Sequence, residues 1–486
     1  MIADPDIPSA AVPLVVDLDG TLCRTDTLHE ALLNLAGSDP KALVSLPGWL
    51  REGRAGLKAR LADRGVLPGD ALPLNPGVIA LIEAARAEGR TVALVSAADH
   101  RQVTAVAEAT GLFDEAYGSA EGTNLKGTEK ARFLTGHYGE KGFDYVGDAA
   151  ADAPVWAAAR TAITVGANAG LRRTAEAANS DTHHIAPPEG RRAAMFRALR
   201  PHQWSKNLLL FLPLLAAHDL SALLPVLLGF AAFCLTASAV YVINDLVDLA
   251  ADRAHPRKRK RPFAAGDLTA VDGLVMAGGL LIGAAILGLL TGAPRLLLIL
   301  GIYFVTTLTY SLWLKRKLMV DVLALAGLYT IRIVAGGAAA AINLSPWMLA
   351  FSMFLFLALA AVKRQAELVD LKATGRSGAG RAYEVEDLPV IRSIAVTSGQ
   401  AAVLVLALYI TSDDVRQLYA YPALLWLICP LLLYWVLRMV MKAHRGQMTD
   451  DPILFAVTDK ISLVVILSSV LIGLAAAIWP WYVPTI

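Results

Sequence analysis

Two hydrophobic patterns divide the chain. Up to about residue 200, apolar runs are four to six residues long and alternate with segments of helical periodicity. The runs Leu14–Leu18, Thr91–Ser96, Phe143–Val146 and Ala162–Val165 predict strands, and their alternation with helices over residues 12–167 predicts a parallel βαβ sheet. Between the first two strands, residues 24–88 carry a helical pattern, enough chain for a small cap. Residues 168–190, NAGLRRTAEAANSDTHHIAPPEG, are polar, end in Pro-Pro-x-Gly and predict a linker, with His183 and His184 solvated. Residues 191–204 mix cations with Met195, Phe196, Leu199 and Trp204, which predicts a helix lying on a membrane surface.

From Leu208 the apolar runs lengthen to about 20 residues, enough to cross a bilayer. Nine spans are predicted, near 205–218, 222–247, 271–291, 294–313, 318–342, 345–362, 391–411, 418–438 and 460–479, the first of them short. Cations concentrate in alternate loops: Arg253 and residues 257–261 after span two, and Lys315, Arg316 and Lys317 after span four. Lys363, Arg364, Lys372, Arg376 and Arg381 follow span six, and Lys442 and Arg445 follow span eight. The opposite loops show Arg295 and Arg416. The positive-inside rule then places the N-terminal domain in the cytosol and the C-terminus outside, in a bacterial-type inner membrane. Composition agrees: 56% of the 486 residues are hydrophobic and 18% charged, against about a quarter charged in a soluble enzyme. Mean hydropathy is +0.51. The opening MIADPDIPSAAVP has neither the basic nor the apolar part of a signal peptide. The scattered Cys23, Cys234 and Cys429 suggest no metal or redox motif. Nothing points to nucleic acid.

The stretch NDLVDLAADRAHPRKRKR, 244–261, closes the second span. Asp245, Asp248 and Asp252 stand at i, i+3 and i+7, one face of a helix. Like charges there repel, and a carboxylate near hydrocarbon costs on the order of 3 kcal/mol at mid-membrane. A divalent cation would offset that; Mg²⁺ typically takes one or two carboxylates plus phosphate oxygens. The cations behind them, Arg257 to Arg261, suit phosphates, although membrane topology explains that run equally well. With Asn244, the motif NDxxDxxxD resembles the first motif of the UbiA superfamily of intramembrane transferases, over about residues 195–486. The resemblance implies an all-α bundle of about nine transmembrane helices. Most of that superfamily carries a second DxxxD; here KRQAELVDLKATG has Glu367 and Asp370 instead. The stretches RPHQWSKN (200–207), Tyr310-Ser311-x-x-Leu314-Lys315, Asp321, Ile331-Arg332-x-x-Ala335-Gly336-Gly337 and Lys363-Arg364-x-x-Glu367-Leu368 resemble the decaprenyl-phosphate phosphoribosyltransferase branch. That branch implies phosphoribosyl pyrophosphate and a polyprenyl phosphate as substrates. Asp245 and Asp248 would be catalytic and hold Mg²⁺. Asn244, Asp252, Arg257, Arg261, Lys206, Tyr310, Lys315, Asp321, Arg332, Lys363, Arg364 and Glu367 would contact substrate. Arg332, within a span, also reads as a paired structural arginine, and Tyr310 with Lys315 as an interfacial aromatic and a topology cation.

In the N-terminal part, Asp17-Leu18-Asp19-Gly20-Thr21 follows a strand, Ser96 closes the next, Lys126-Gly127 opens a helix, and Gly147-Asp148-x-x-x-Asp152 follows another strand. Four motifs in this order resemble the haloacid dehalogenase-like phosphatases and imply a Rossmann-like α/β domain with a small helical cap. The resemblance assigns Asp17 as nucleophile, Asp19 as general acid and base, and Thr21, Ser96 and Lys126 to the phosphoryl group. It assigns Mg²⁺ to Asp17, Asp19 (through its carbonyl), Asp148 and Asp152. Lys130 competes with Lys126 but reads as a helix-surface lysine.

The expected organisation is a phosphatase domain over 1–167, a linker and interfacial helix start over 168–194, and a transferase domain over 195–486. The two activities would run in sequence: phosphoribosyl transfer to polyprenyl phosphate, then removal of the 5-phosphate. A homo-oligomer is compatible with this. The alternatives are prenyl transfer from an isoprenyl diphosphate to an aromatic acceptor beside an independent phosphatase, a transporter, or a non-catalytic binding module.

Overall fold

The computed structural model describes residues 12–51, 53–120, 124–186, 190–218, 220–374, 382–448 and 452–478. The chain forms two compact units: Met1–Leu199 with Tyr241–Met276, and Arg200–Val240 with Ala277–Ile486.

The first unit is built on a parallel sheet. Its strands are β1 (Leu14–Val16), β2 (Val92–Asp99), β3 (Glu115–Ser119), β4 (Asp144–Gly147), β5 (Ala162–Val165) and β6 (Thr182–Ile185), in the order β3-β2-β1-β4-β5-β6. β1 is buried throughout, as a central strand covered on both faces must be. The period-2 alternation sends Leu14 and Val16 to one core with Val78, Ile82 and Val103. Val15 joins Leu134, Phe143, Tyr145 and Trp156 on the other face. The chain winds outward from β1 to β3, then crosses back to lay β4, β5 and β6 on the other side. That reversal opens a crevice at the C-terminal ends of β1 and its neighbours, where ligands of doubly wound sheets bind.

The four predicted strands are present, and two were not foreseen. β3 has half-buried residues only up to Ser119 and no apolar run. β6 corrects the linker: residues 168–190 contain the Ala169–Ala178 helix, capped by the Asn168 side chain, and then β6, paired with β5. The polar sequence THHI misled because β6 is an edge strand. His184 serves it structurally, with Nδ1 2.7 Å from Thr164 Oγ1 and Nε2 3.1 Å from Glu176 Oε1. The surface helix is shorter than expected, Arg191–Ala198. Its Phe196 is exposed, as a surface-lying helix would have it.

Among the described residues, eight helices are long and apolar enough to cross a membrane: Leu220–Val247, Ala270–Leu290, Pro294–Leu312, Val320–Ala339, Pro346–Thr374, Val385–Ile410, Pro422–His444 and Lys460–Ala477. The short first span, 205–218, falls in a 3-10 helix, Pro201–Phe211, and a five-residue α-helix, Leu212–Ala216. Arg200 enters it in a left-handed conformation (φ 51°). The Pro346–Thr374 helix continues beyond the predicted end of span six, so Lys363, Arg364 and Glu367 lie on helix and not in a loop. Arg376 and Arg381 lie outside the described residues, as do residues 1–11. The core of the second unit gathers Ile333, Phe356, Leu359, Trp435 and Met439.

Candidate active sites

At the crevice of the sheet, Asp17 follows β1, Ser96 lies in β2 and Asp148 follows β4. One ligand oxygen each from Asp17, Asp148 and Asp152 comes within 4.8 Å of the others. Gly20 makes this approach feasible: it has φ +74°, and a Cβ there would sit 2.1 Å from Asp148 Oδ2. Burial first, then the Asp17 and Asp152 carboxylates, pushes Asp148 up to about 7. Burial and Asp17 raise Asp152 to about 6. Three acidic groups crowded this way suit a divalent cation, and their chemistry fits the magnesium set expected here. Asp19 is not in the trio; its Oδ1 accepts from Thr27 N at 2.7 Å. Burial and then Asp26 push Asp19 up to about 7, so near neutrality it exchanges a proton readily.

Lys130 corrects the sequence reading. It is buried, its Nζ lies 2.9 Å from Asp17 Oδ2, and it donates to Tyr145 Oη at 2.8 Å. Tyr145 Oη in turn donates to Asp152 Oδ1 at 3.1 Å. Lys130 shares the inward face of the Thr128–Tyr138 helix with Ala131 and Leu134, an i, i+4 signal available in the sequence. Lys126 is exposed but lines the same cavity, as does the buried Ser96. Thr21 is buried away from the cavity lining and donates to Asp148 Oδ1 at 3.3 Å, so it supports a carboxylate where a phosphoryl contact was expected. Lys58, from the cap segment, also reaches the cavity, with Nζ 2.5 Å from Ala97 O, and burial lowers its pKa. No sequence pattern singled it out.

The cavity holds about 370 Å³. Besides the aspartates and lysines, its lining includes Leu246, Leu249, Phe263, Leu268 and Val271, from the segment that carries and follows the acidic motif. That segment is fastened to the sheet domain by charge. Arg253 Nη1 and Nη2 each lie 2.6 Å from a Glu30 carboxylate oxygen, both residues being nearly buried. Arg24 reaches Asp267 at 3.3 Å, Arg197 reaches Asp267 at 3.0 Å, and Arg191 reaches Asp272 at 2.5 Å.

The motif itself bends. The helix ends at Val247, Asp248 sits at the break, and a six-residue helix, Leu249–Ala254, carries Asp252. The i→i−4 bonding survives across the break, Asp252 N to Asp248 O at 2.8 Å. Arg261 Nη1 bridges Asp245 Oδ1 (3.2 Å) and Asp252 Oδ2 (2.5 Å), and Lys258 stands 4.0 Å from Asp252. Arg257 is exposed. Among the described residues, Asp245 and Asp248 join no three-carboxylate cluster. Their two carboxylates match what Mg²⁺ takes beside phosphate oxygens. Arg261 already offsets part of the charge that the sequence reading left to a metal.

In the second unit, Asp321 begins the Val320–Ala339 helix, fully buried, and pairs with Arg364 Nη2 at 2.5 Å. Arg364 also pairs with Glu367, and Tyr383 donates to Asp321 Oδ1 at 2.5 Å. Three expected site residues therefore converge, and Tyr383, which the sequence did not flag, completes the group. Arg332 has the partners that its structural alternative calls for. It donates to Asn207 Oδ1 (2.9 Å), Tyr303 Oη (3.2 Å) and Leu328 O, and its guanidinium lies 5.1–5.5 Å from the rings of Phe233, Tyr303 and Tyr329. Lys206 is buried on the Pro201–Phe211 helix, and Tyr310, Lys315 and Lys363 are each engaged in interactions of their own.

The sequence profile of the UbiA prenyltransferase family matches residues 208–457. The chain belongs to that family. The haloacid dehalogenase-like hydrolase profile matches residues 50–156, starting after the Asp17–Thr21 stretch that the fold brings beside Asp148. This UbiA-family protein thus carries an N-terminal haloacid dehalogenase-like phosphatase domain. It is 36% identical to the uncharacterized protein y4nM of Sinorhizobium fredii over 476 residues, 95% of this chain and 90% of that one. It is 40% identical to the nodulation protein NoeC of Azorhizobium caulinodans, over 56% of this chain and 89% of that one. With the decaprenyl-phosphate phosphoribosyltransferase of Mycolicibacterium smegmatis it shares 35% identity, over 47% of this chain and 73% of that one. The UbiA-family assignment and the eight apolar helices make it a multi-pass membrane protein.

Proposed function

We propose that the UbiA-type domain transfers a 5-phosphoribosyl group from phosphoribosyl pyrophosphate to a polyprenyl phosphate, and that the phosphatase domain then removes the 5-phosphate. In the first step an oxygen of the lipid phosphate attacks C1 of the ribose and the bond from C1 to pyrophosphate breaks. Asp245 and Asp248 would hold Mg²⁺, which when bound neutralises charge on the departing pyrophosphate. Arg261 lies beside Asp245 and Asp252, and Lys258 beside Asp252, placed to meet the anionic leaving group. In the second step Asp17 attacks the 5-phosphorus and forms an aspartyl phosphate. Asp19 gives its proton to the departing sugar oxygen, then takes one from the water that hydrolyses the aspartyl phosphate. Lys130 holds Asp17 in place, and Ser96, Lys126 and Lys58 face the phosphoryl oxygens. The product is polyprenyl-phosphoryl ribose, with both sites on the cytosolic side of the membrane.

Resemblance to the phosphoribosyltransferases supports the first step. What carries the coupling is the shared wall: the phosphatase cavity is lined by Leu246, Leu249 and Phe263, residues of the acidic-motif segment. The test incubates purified protein with Mg²⁺, labelled phosphoribosyl pyrophosphate and polyprenyl phosphate, and chromatographs the lipid. Wild type should yield labelled lipid without the 5-phosphate, and Asp17→Asn labelled lipid that retains it. Identical lipid from both proteins would refute the coupling; turnover of an isoprenyl diphosphate in place of phosphoribosyl transfer would refute the first step.

A further inference from the structure

The phosphatase cavity is lined by two kinds of residue, the charged groups of the acidic centre and a set of apolar side chains. Asp17, Asp19 and Lys130 come from the sheet domain, and Leu249, Phe263 and Val271 from the segment that carries and follows the acidic motif. The apolar set does not stop at the cavity. Thr269, Ala270 and Val271 line it at the first turn of the Ala270–Leu290 helix, a membrane-span candidate. On that helix Val271, Leu274 and Val275 stand at i, i+3 and i+4, one continuous face, and they are 48%, 59% and 70% exposed. A membrane span turns such a face to lipid in any case; what distinguishes this one is that its first turn also lines the cavity, so lipid-facing surface and cavity wall are continuous. A polar head over Asp17 with a hydrocarbon tail leaving past Val271 would cover both.

We infer that the phosphatase site takes a lipid-anchored phosphomonoester directly from the bilayer, its tail lying along Val271, Leu274 and Val275. The inference rests on the proposed dephosphorylation of a lipid product but names what that site recognises: the lipid as well as the phosphate. Catalysis stays with Asp17 and Asp19, and the helix face sets specificity.

The test measures kcat/KM of the intact protein in mixed micelles for two lipid–soluble pairs: polyprenyl-phosphoryl 5-phosphoribose against ribose 5-phosphate, and phosphatidic acid against glycerol 3-phosphate. For wild type the lipid member should be preferred. The double variant Leu274→Asn/Val275→Asn should lower the lipid-to-soluble ratio about tenfold, the scale of losing one or two buried apolar contacts. The milder Leu274→Ala/Val275→Ala should lower it in the same direction by less, and Mg²⁺-dependent hydrolysis of the soluble member reports that each variant has folded. Ratios equal in wild type and variants for both pairs would overturn the inference. A wild type that spares the phosphoribosyl lipid yet prefers phosphatidic acid, with that preference lost in the variants, would overturn the pentose assignment and leave the lipid route standing.

Discussion

Replacing Asp148 by asparagine removes one charge from the acidic trio while keeping its shape and an oxygen for Thr21. In the metal-free protein three carboxylates, Asp17, Asp148 and Asp152, face one buried cation, Lys130. Burial and its two neighbours raise Asp148 from 3.8 to about 7. A carboxyl whose folded pKa is raised binds its proton more tightly folded than unfolded, so ionising it costs stability. The penalty is absent below pH 3.8, grows through the interval to about pH 7, and is complete above it. Three units at about 1.36 kcal/mol each give ~4 kcal/mol at most. Asp148→Asn should therefore stabilise the phosphatase domain in EDTA at pH 8 by up to that amount, and at pH 4 hardly at all. For a domain of this size the gain corresponds to roughly 8–16 °C in Tm. Scanning fluorimetry of the protein in detergent micelles measures it, with and without Mg²⁺. Added Mg²⁺ should raise the Tm of wild type much more than that of the variant, and the variant's phosphatase activity should be lost. An Asp148→Asn protein no more stable than wild type at pH 8 in EDTA would refute the reasoning, because the trio would then carry no repulsion for a cation to relieve.

Arg253→Ala should destabilise the first unit by about 3–5 kcal/mol, because it strands Glu30 buried without its bidentate partner. Thermal unfolding should recover most of that loss in Glu30→Met/Arg253→Met, where both charges are gone. Lys130→Met should cut phosphatase kcat by about 10²–10³-fold, as expected on losing a pre-placed cation beside the reacting group, while Lys126→Met should act mainly on KM. Arg364→Met should impair the proposed phosphoribosyl transfer by leaving the buried Asp321 carboxylate without its cation, held by the Tyr383 hydroxyl and the Val322 N–H, and Asp321→Asn/Arg364→Met should restore thermal stability without restoring transfer.

The sequence disclosed what repeats or clusters. Long apolar runs marked the spans, β-branched and leucine-rich runs marked the buried strands, and carboxylates at fixed spacing marked both acidic centres. Edge elements stayed hidden because a half-exposed strand such as Thr182–Ile185 needs no apolar pattern. Lys130 stayed hidden for a different reason. A lysine is read as solvated unless something nearby demands it, and what demands it here, Asp17, lies more than a hundred residues upstream. Arg332 shows the converse: a buried arginine within a span suggests a ligand, and the amide, hydroxyl and aromatic faces around it come from Asn207, Phe233 and Tyr303, far apart in sequence. Local spacing therefore finds groups that share a turn of helix, and long-range pairing decides which of them are left to meet a substrate. By that argument the charge on the acidic motif is the more informative case. Arg261, only nine residues beyond Asp252, already compensates part of it. On the proposed reading, a pyrophosphate arriving at Asp245 would either draw Arg261 away from the carboxylates or bring a cation of its own, so the arginine that compensates the motif is also placed to meet the leaving group.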